Sequence, residues 1–361
     1  MSTLITIDLD ALTANYRSCR ERVAPAGCAA VVKADAYGLG IARVARALFG
    51  AGCRQFFTAK LGEAIGLRGL LPEAEIYVFE GVTEPSLEAL DQHRLVPVLI
   101  SPEQAAQWAQ FGRRLERALP AIVDIDTGMT RLGMGRRELE TVAARRSDLD
   151  WLDIRYVMTH LACADEGEKG RIGEQLQRFD ELRRLLPPAP TSIGNSAGSL
   201  MGNGYAGDLA RVGIALFGGN PYLDERHRAQ PVLRIQSRIL QLREITEPTP
   251  VGYGATWTAP AGTRIATVGT GYADGYPWSL GNRGIAAVGS YRVPVVGRVS
   301  MDLITLDVTG VPEELVQPGC LVDLIGPDVS LEEVAERAGT INYEILTRLS
   351  QRARRRFVGG P

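Results

Sequence analysis

The alternation of strand and helix patterns over residues 29–217 constrains the fold of this chain more than any other feature. Short runs of small and β-branched residues recur, and the stretches between them carry apolar residues at helical spacing. Eight strands are predicted, at 29–32, 55–59, 75–80, 96–100, 121–126, 154–161, 191–195 and 209–217; helical spacing is clearest at 41–49, 63–70, 102–109 and 174–186. Eight βα units predict a TIM-type (β/α)8 barrel, although a doubly wound sheet would show the same alternation.

The pattern changes near residues 220–232, where prolines and a charged run form a linker-like stretch. Beyond it, short β-rich runs separated by turn signals occur at 264–269, 284–288, 293–299, 303–308 and 320–325. A length of 361 residues also favours two cores. We predict an α/β barrel over residues 1–225 and a mainly β domain over 226–361. A further strand at 4–9 can pack with the β domain, and Asp10 is the predicted cap of the helix that follows.

Charge and cysteine content exclude several classes of function. A net charge of -2 and a pI near 6.1 give no electrostatic basis for binding nucleic acid or an anionic membrane. The five cysteines lack CxxC spacing and predict neither a disulfide framework nor a zinc site. No signal-peptide pattern and no membrane-spanning apolar stretch is present in the sequence. We expect a cytoplasmic protein with small-molecule partners and no metal.

The first predicted barrel strand runs into the sequence Val-Val-Lys-Ala-Asp-Ala-Tyr-Gly-Leu-Gly, which places Lys33 at a strand's carboxyl end. Desolvation there would lower the pKa of the lysine and make the neutral amine available for Schiff-base chemistry. Tyr37 offers a hydroxyl that can reach a phosphate. For a short Val-Val-Lys segment alone, an exposed lysine is the more common outcome.

Other residues able to carry chemistry also follow strands, and barrel enzymes collect their chemistry at that end. The predicted strand ends carry Lys33, Asp126, His160, Ser196 and Arg211. Asp124 and Asp126 share one face of their strand, and a glycine-containing loop then presents Arg131. A structural clamp of the arginine and acid/base hydrolysis by paired carboxylates both fit this pattern. A lone histidine such as His160 is more often a packed residue than a catalyst.

Several segments of the barrel resemble, in order and spacing, the alanine racemase family. The lysine segment resembles the family's pyridoxal-phosphate segment, with Asp35 and Leu39 in place of the usual Asn and His. Three later segments also match: Asp-Thr-Gly-Met-Thr-Arg-Leu-Gly at 126–133, Thr-His-Leu-Ala-Cys-Ala-Asp-Glu at 159–166 and Arg-Val-Gly-Ile-Ala-Leu-Phe-Gly at 211–218. In the second domain the matching segments are Gly-Tyr-Gly-Ala-Thr at 252–256, Gly-Tyr-Ala-Asp-Gly-Tyr-Pro at 271–277 and Gly-Arg-Val-Ser-Met-Asp at 297–302.

The resemblance implies an enzyme that interconverts L-alanine and D-alanine by two-base racemisation on pyridoxal 5'-phosphate. The cofactor residues it implies are Lys33, Tyr37, His160, Ser196, Arg211 and the backbone amides of Gly213 and Ile214. The substrate-binding residues it implies are Arg131, Met301, Asp302 and Tyr272. Lys33 is one catalytic base and Tyr253 of a partner subunit is the other, so the family's active site is shared across a homodimer. Supply of D-alanine as a peptidoglycan precursor and D-alanine catabolism both fit.

Three further positions depart from the family pattern. Asp124 stands where many members carry a carbamylated lysine, and we hypothesise that its carboxylate orients Arg131 directly. Gln351 falls where many members have a tyrosine that narrows the pocket, and Trp278 where an arginine is common. A broader small amino-acid (serine) racemase and a non-catalytic pyridoxal-phosphate carrier therefore stay open. Related decarboxylases are a further rival, but their Glu-Pro-Gly-Arg motif is absent from the sequence.

Overall fold

The computed structural model describes residues 3–166, 169–222 and 229–360, which form a parallel barrel and a mainly β domain. The predicted boundary between residues 225 and 226 lies outside the described residues, as does the charged run at 224–228. Within the described ranges no helix combines the length and apolarity needed to cross a bilayer. Nor do these residues include a group of three or more His, Cys, Asp or Glu side chains placed to hold a metal ion.

Eight parallel strands follow the amino-terminal strand β1 (Leu4–Asp8) and form the barrel. They are β2 (Gly27–Val31), β3 (Gln55–Thr58), β4 (Glu75–Val78), β5 (Leu95–Leu99), β6 (Leu119–Asp124), β7 (Leu152–Met158), β8 (Thr191–Ser192) and β9 (Leu209–Val212). The pairing order is β8-β7-β6-β5-β4-β3-β2-β9. Individual bonds close the remaining seam: the Arg211 amide donates to the Gly194 carbonyl at 2.8 Å, and Ser192 Oγ donates to the Leu209 carbonyl at 2.6 Å. The nearly closed sheet confirms the predicted barrel and excludes a doubly wound sheet.

Helices surround the barrel and connect its strands. They are α1 (Leu9–Val23), α2 (Lys33–Tyr37), α3 (Ile41–Gly50), α4 (Leu61–Leu70), α5 (Leu87–Gln92), α6 (Pro102–Arg114), α7 (Arg136–Ala144), α8 (Arg146–Leu149), α9 (Lys169–Leu182) and α10 (Ser196–Leu200). The prediction that Asp10 caps α1 was wrong. The helix begins directly after β1, so Asp8 still has extended backbone and its Oδ1 accepts the Asp10 and Ala11 amides at 2.9 Å each.

Several predicted barrel strands extended too far. The run 209–217 ends as a strand at Val212, and a 3-10 turn, Ile214–Phe217, follows. The run 191–195 contains only the two residues of β8. Because the 3-10 turn is as completely buried as the strand, apolar character alone could not separate the two.

The second domain is built on one long strand, β10 (Leu233–Glu244). The other elements are β11 (Thr249–Val251), β12 (Trp257–Ala259), β13 (Arg264–Val268), β14 (Ile285–Val288), β15 (Tyr291–Pro294), β16 (Ile304–Asp307), β17 (Leu321–Ile325), α11 (Leu331–Ala338), α12 (Asn342–Thr347) and β18 (Arg354–Val358). A register shift between Ile239 and Gln241 bends β10. One half of it pairs with β1 and β17, and the other pairs with β13. Strand β1 lies between β10 and β18, so the amino terminus belongs to this second sheet.

The second domain packs against the segment that carries Lys33. The Arg355 Nη2 donates to the Gly38 carbonyl at 2.9 Å, and the ring of Tyr343 lies 6.2 Å from the ring of Tyr37. One continuous cluster of buried apolar residues includes members of both domains. The carboxyl ends of the barrel strands near Lys33 therefore lie beside the second domain.

Candidate active site

Lys33 begins a left-handed helical turn just after β2. Residues 34–37 all have φ between +53° and +56°, although none is glycine. Such backbone costs roughly 1–2 kcal/mol per residue, so contacts from elsewhere must hold it. Glu63 supplies one, since its Oε1 accepts the Ala34 amide at 2.6 Å while its Oε2 accepts two amides at the start of α4. The sequence predicted a turn only at the glycines after Tyr37. The strained backbone lies earlier, at residues 34–37, and directly follows Lys33, which marks this lysine as a candidate functional residue.

The Lys33 amine lies in a partly buried, cation-rich environment. Its Nζ is 5.7 Å from the centre of the Phe79 ring. Burial lowers the pKa of Lys33, and the positive charge of Arg131 lowers it further, with Glu63 opposing the change. A larger fraction of the neutral, nucleophilic amine results.

Three predicted residues meet at one small cradle. The Ser196 Oγ accepts the Gly213 amide at 2.9 Å. The Tyr37 hydroxyl lies so close to Gly213 that a Cβ atom there would overlap it. Burial raises the pKa of Tyr37, so its hydroxyl stays protonated and able to donate. Because Gly213 has no Cβ atom, the Tyr37 hydroxyl can approach the same backbone to which Ser196 is bonded. Two hydroxyls therefore meet at the start of the 3-10 turn, an arrangement that suits a phosphate group.

Arg211 is a fully buried cation with one unused donor. Its Nη1 donates to Ser192 Oγ at 2.8 Å, and its Nη2 donates to the carbonyls of Thr159 at 2.6 Å and Ile193 at 3.3 Å. Its Nε has no hydrogen-bond partner among the described residues. Burial lowers the pKa of Arg211 to about 10, with Asp124 opposing the change, so the side chain stays charged at neutral pH. A buried donor without a protein partner is available to an acceptor on a bound molecule.

His160 lies beside this arginine, just beyond the end of β7. Its Nδ1 is 3.4 Å from the Arg211 Nη2. Burial lowers the pKa of His160 to about 3, and Arg211, Arg131 and Lys33 all contribute in the same direction. The structure therefore brings these three cations and a neutral imidazole to one end of the barrel.

Asp124 is the buried carboxyl group of this cluster. Burial raises its pKa to about 6; Arg211 opposes the change, Asp126 adds to it and Arg131 opposes it. Its Cγ would lie 3.2 Å from a Cβ atom at Gly133, in the loop that carries Arg131. Within the described residues no ion pair of 4.0 Å or less joins Asp124 to Arg131. Orientation of Arg131 by Asp124 thus stays a prediction, and Arg211 emerges as a second cation that this carboxyl group influences.

The predicted residues of the second domain are all exposed. Tyr253, 72% exposed, lies in the turn between β11 and β12. Tyr272 and Met301 are neighbours, because the Tyr272 segment makes two backbone bonds to residues 300 and 301. Asp302 accepts a hydrogen bond from Arg352 at 2.8 Å. No hydrogen bond or ion pair among the described residues connects these four to the barrel cluster; Trp278 and Gln351 are also exposed.

The sequence did not indicate two buried or partly buried polar residues that support the site. Glu63 holds the lysine turn, as described above. Gln175 lies on the buried face of α9 between Ile172 and Phe179, and it contacts both the Arg131 loop and the His160 segment. The sequence did contain a signal for Gln175, because a polar residue stands there at a position of α9 where helical spacing calls for an apolar one. A buried amide needs hydrogen-bond partners, so this position could have been identified as a contact to other segments.

Comparison with known proteins gives one consistent family. Models described as alanine racemase, N-terminal domain, and alanine racemase, C-terminal domain, match residues 7–221 and 232–357. The chain is 46% identical to the alanine racemase of Rhodospirillum rubrum over 360 residues, which are 99% of this chain and 96% of that protein. It is 45% identical to the catabolic alanine racemase of Agrobacterium fabrum, covering 98% and 92% of the two chains.

Solved structures agree over the whole length. The alanine racemase from Bartonella henselae with covalently bound pyridoxal phosphate superposes with a TM-score of 0.95 at 36% identity, covering 99% of this chain and 100% of that one. The biosynthetic alanine racemase from Pseudomonas aeruginosa superposes with a TM-score of 0.92 at 34% identity, covering 99% of each chain. These likenesses extend the resemblance noted in the separate sequence segments to both complete domains.

We expect the His160 imidazole to stay neutral over the range, about pH 5 to 8, in which an ordinary histidine changes charge. The reason is its pKa of about 3, set by burial and the neighbouring cations. NMR of Cε1-labelled histidine, with His160→Asn to assign the signal, measures the titration. Arg131→Gln should raise the pKa of His160, whereas Arg137→Gln, on the exposed side of α7, should not. Ordinary titration of His160 near pH 6.5 would contradict this electrostatic description.

Proposed function

Because this chain belongs to the alanine racemase family, we propose that it interconverts L-alanine and D-alanine with pyridoxal 5'-phosphate as its cofactor. The observation that carries the proposal is the cluster of the buried Arg211 with the partly buried Lys33 and His160. There an amine of lowered pKa, a neutral imidazole and an unpartnered guanidinium Nε face one end of the barrel. A cytoplasmic location stays a prediction of the sequence.

The residues present fit this cofactor. Tyr37, Ser196 and the amides of Gly213 and Ile214 would hold its phosphate at the start of the 3-10 turn, where the two hydroxyls meet beside Gly213. The unused Nε of Arg211 would donate to the pyridine nitrogen, and Lys33 would form the covalent attachment. When bound, pyridoxal phosphate draws electrons from the substrate Cα and so makes its hydrogen acidic.

Arg211 would restrain that electron withdrawal. A carboxylate beside the pyridine nitrogen would keep the nitrogen protonated, as in most enzymes of this cofactor. An arginine retains its own protons and can only donate, so Arg211 would leave that nitrogen unprotonated. The weaker withdrawal would suppress side reactions such as transamination and would suit a simple exchange of one proton.

Two proton-transfer groups act on opposite faces of the substrate Cα. We assign the Lys33 Nζ to one face and the Tyr253 Oη of a partner subunit to the other. Arg131 binds the substrate carboxylate, Met301 and Asp302 lie near that carboxylate, and Tyr272 borders the entrance. The high exposure of Tyr253, Tyr272 and Met301 supports a homodimer in which a second chain covers this surface.

The function is tested by chiral analysis of L-alanine incubated with the purified protein and pyridoxal phosphate. We expect D-alanine to form while total alanine is conserved. Lys33→Ala should lose the lysine-linked absorbance and more than about 10⁴-fold in rate, because base and covalent link are both removed. Lys60→Ala, at a side chain that is 70% exposed, serves as control. If the protein binds the chromophore but forms no D-alanine, the proposal is refuted. Formation of D-serine from L-serine would then indicate a serine racemase, and no racemisation of either amino acid would indicate a carrier.

Tyr253→Phe removes the second proton-transfer group, so racemisation in both directions should slow by about 10²- to 10⁴-fold. One enantiomer should still exchange its Cα hydrogen in D₂O without racemising, because Lys33 continues to serve its face. Tyr291→Phe, an exposed tyrosine of the same domain, is the matched control and should leave turnover unchanged. Unchanged turnover in the Tyr253 variant would remove this residue from the mechanism.

A mixing experiment separates a shared site from one within a single chain. In a heterodimer of Lys33→Ala and Tyr253→Phe chains, one shared site carries both substitutions and the other carries neither. Random reassociation of the two inactive variants should therefore restore about one quarter of wild-type activity, by dimer symmetry. No recovery, despite demonstrated heterodimers, would place both bases in the same chain.

The Asp124 carboxylate should be needed in its charged form. Since burial raises its pKa to about 6, wild-type kcat/KM should fall as pH drops through about 6 and protonation removes the negative charge near Arg211 and Arg131. Asp124→Asn should lower kcat/KM about 10- to 100-fold at neutral pH and abolish that acid limb. Asp124→Lys tests whether a lysine restores the function, and Asp153→Asn, a surface carboxylate on β7, is the control. If Asp124→Asn has the kcat/KM and pH dependence of the wild-type protein, the hypothesis that the charged Asp124 carboxylate is needed is wrong.

A further inference from the structure

Gln175 makes three hydrogen bonds from a buried position on α9, where it is only 5% exposed. Its Nε2 donates to Thr127 Oγ1 at 3.0 Å and to the His160 carbonyl at 3.1 Å. Its Oε1 accepts the Ala162 amide at 2.9 Å. Both amide protons and the amide oxygen are therefore used, and each bond reaches a different residue.

These bonds connect two loops that carry proposed active-site residues. Thr127 lies in the loop 125–135, which carries Arg131, while His160 and Ala162 belong to the loop after β7. The loops also touch directly, since Thr127 Oγ1 lies 2.8 Å from Thr159 Oγ1, and Thr159 Oγ1 donates to the Ile125 carbonyl at 2.8 Å. The amide is thus the side chain by which α9 joins this threonine pair to the backbone beside His160.

Packing alone does not explain a glutamine at this position. Its neighbours on the same face of α9, Ile172 and Phe179, are fully buried apolar residues. Burying an amide costs free energy unless every polar atom is paired, so methionine of similar size would satisfy packing alone. Glutamate lacks the two donors, and asparagine is one methylene shorter. The residue type matches what the two loops require.

We propose that Gln175 is a positioning residue for the racemase reaction: its amide fixes the Arg131 loop against the His160 loop so that both side chains face the same volume. The consequence for catalysis rests on the proposed function; the consequence for loop order does not. Because displacements of about 1 Å in a site can cost about 100-fold in rate, loss of the amide should be measurable in turnover.

The test compares Gln175→Met with Gln177→Met in the cofactor-loaded protein, since Gln177 is an exposed glutamine two residues along the same helix. Hydrogen exchange by mass spectrometry should rise in peptides covering 125–135 and 159–163 for the Gln175 variant alone. At saturating cofactor, KM for alanine should rise and kcat/KM should fall about 10- to 100-fold. If Gln175→Met is less stable than the wild-type protein but has normal kcat and KM, the proposal is overturned.

Thr127→Val is a second variant, which removes, of the hydrogen bonds that Gln175 makes, only the one to residue 127. It tests the proposal even if Gln175→Met does not fold. It should raise exchange in 125–135 but not in 159–163, and it should raise KM for alanine. If Gln175 acts on Arg131 through Thr127, the double variant should show no further rise in KM beyond Gln175→Met. Additive effects of the two substitutions on KM would refute the proposal that Gln175 positions the Arg131 loop through Thr127. Normal exchange and kinetics in Thr127→Val would refute it as well. If the variants show the expected increases in exchange but the wild-type protein forms no D-alanine, the proposed function is refuted and the role of Gln175 in loop order is supported.

Discussion

The buried guanidinium of Arg211 is the interaction on which both the barrel and the site depend. Strands β8 and β9 do not pair as a regular ladder, and this side chain bonds to Ser192 Oγ and to the Thr159 and Ile193 carbonyls across that region. Burying a cation is costly unless it is paired and hydrogen-bonded. Here the carbonyl and hydroxyl oxygens around the two Nη atoms and the nearby charge of Asp124 offset the cost. The Arg211 side chain therefore contributes both to closure of the barrel and to the charge of the site.

The field of this cation reaches the titratable groups around it. It contributes to the low pKa of His160, which keeps the imidazole neutral, and it opposes the rise in the pKa of Asp124 that burial causes. Arg131 acts in the same way on both groups and also lowers the pKa of Lys33. A cation-rich end of the barrel suits a phosphate and a substrate carboxylate, the two anions that the proposed reaction brings there.

The second domain completes this arrangement from two directions. Within the chain, Tyr343 and the Arg355 bond to Gly38 brace the turn that follows Lys33. The residues expected to act on the substrate from this domain, with Tyr253 foremost, are instead exposed and unconnected to the barrel cluster in the described residues. The second domain thus supports the Lys33 turn of its own chain, while its Tyr253 side chain is exposed. This arrangement is consistent with the shared sites that we propose.

The sequence by itself determined the order of elements and the edge at which chemistry collects. Hydrophobic periodicity is a property of neighbouring residues, and the ends of parallel strands meet at one edge in any closed barrel, so Lys33, His160 and Arg211 could be grouped without coordinates. The tertiary structure alone decided what surrounds them. The left-handed turn is held by Glu63, 29 residues from its partner, and Gln175 bonds to Thr127, 48 residues away. Burial, pKa values and loop positions depend on such distances between remote residues, which no local pattern encodes.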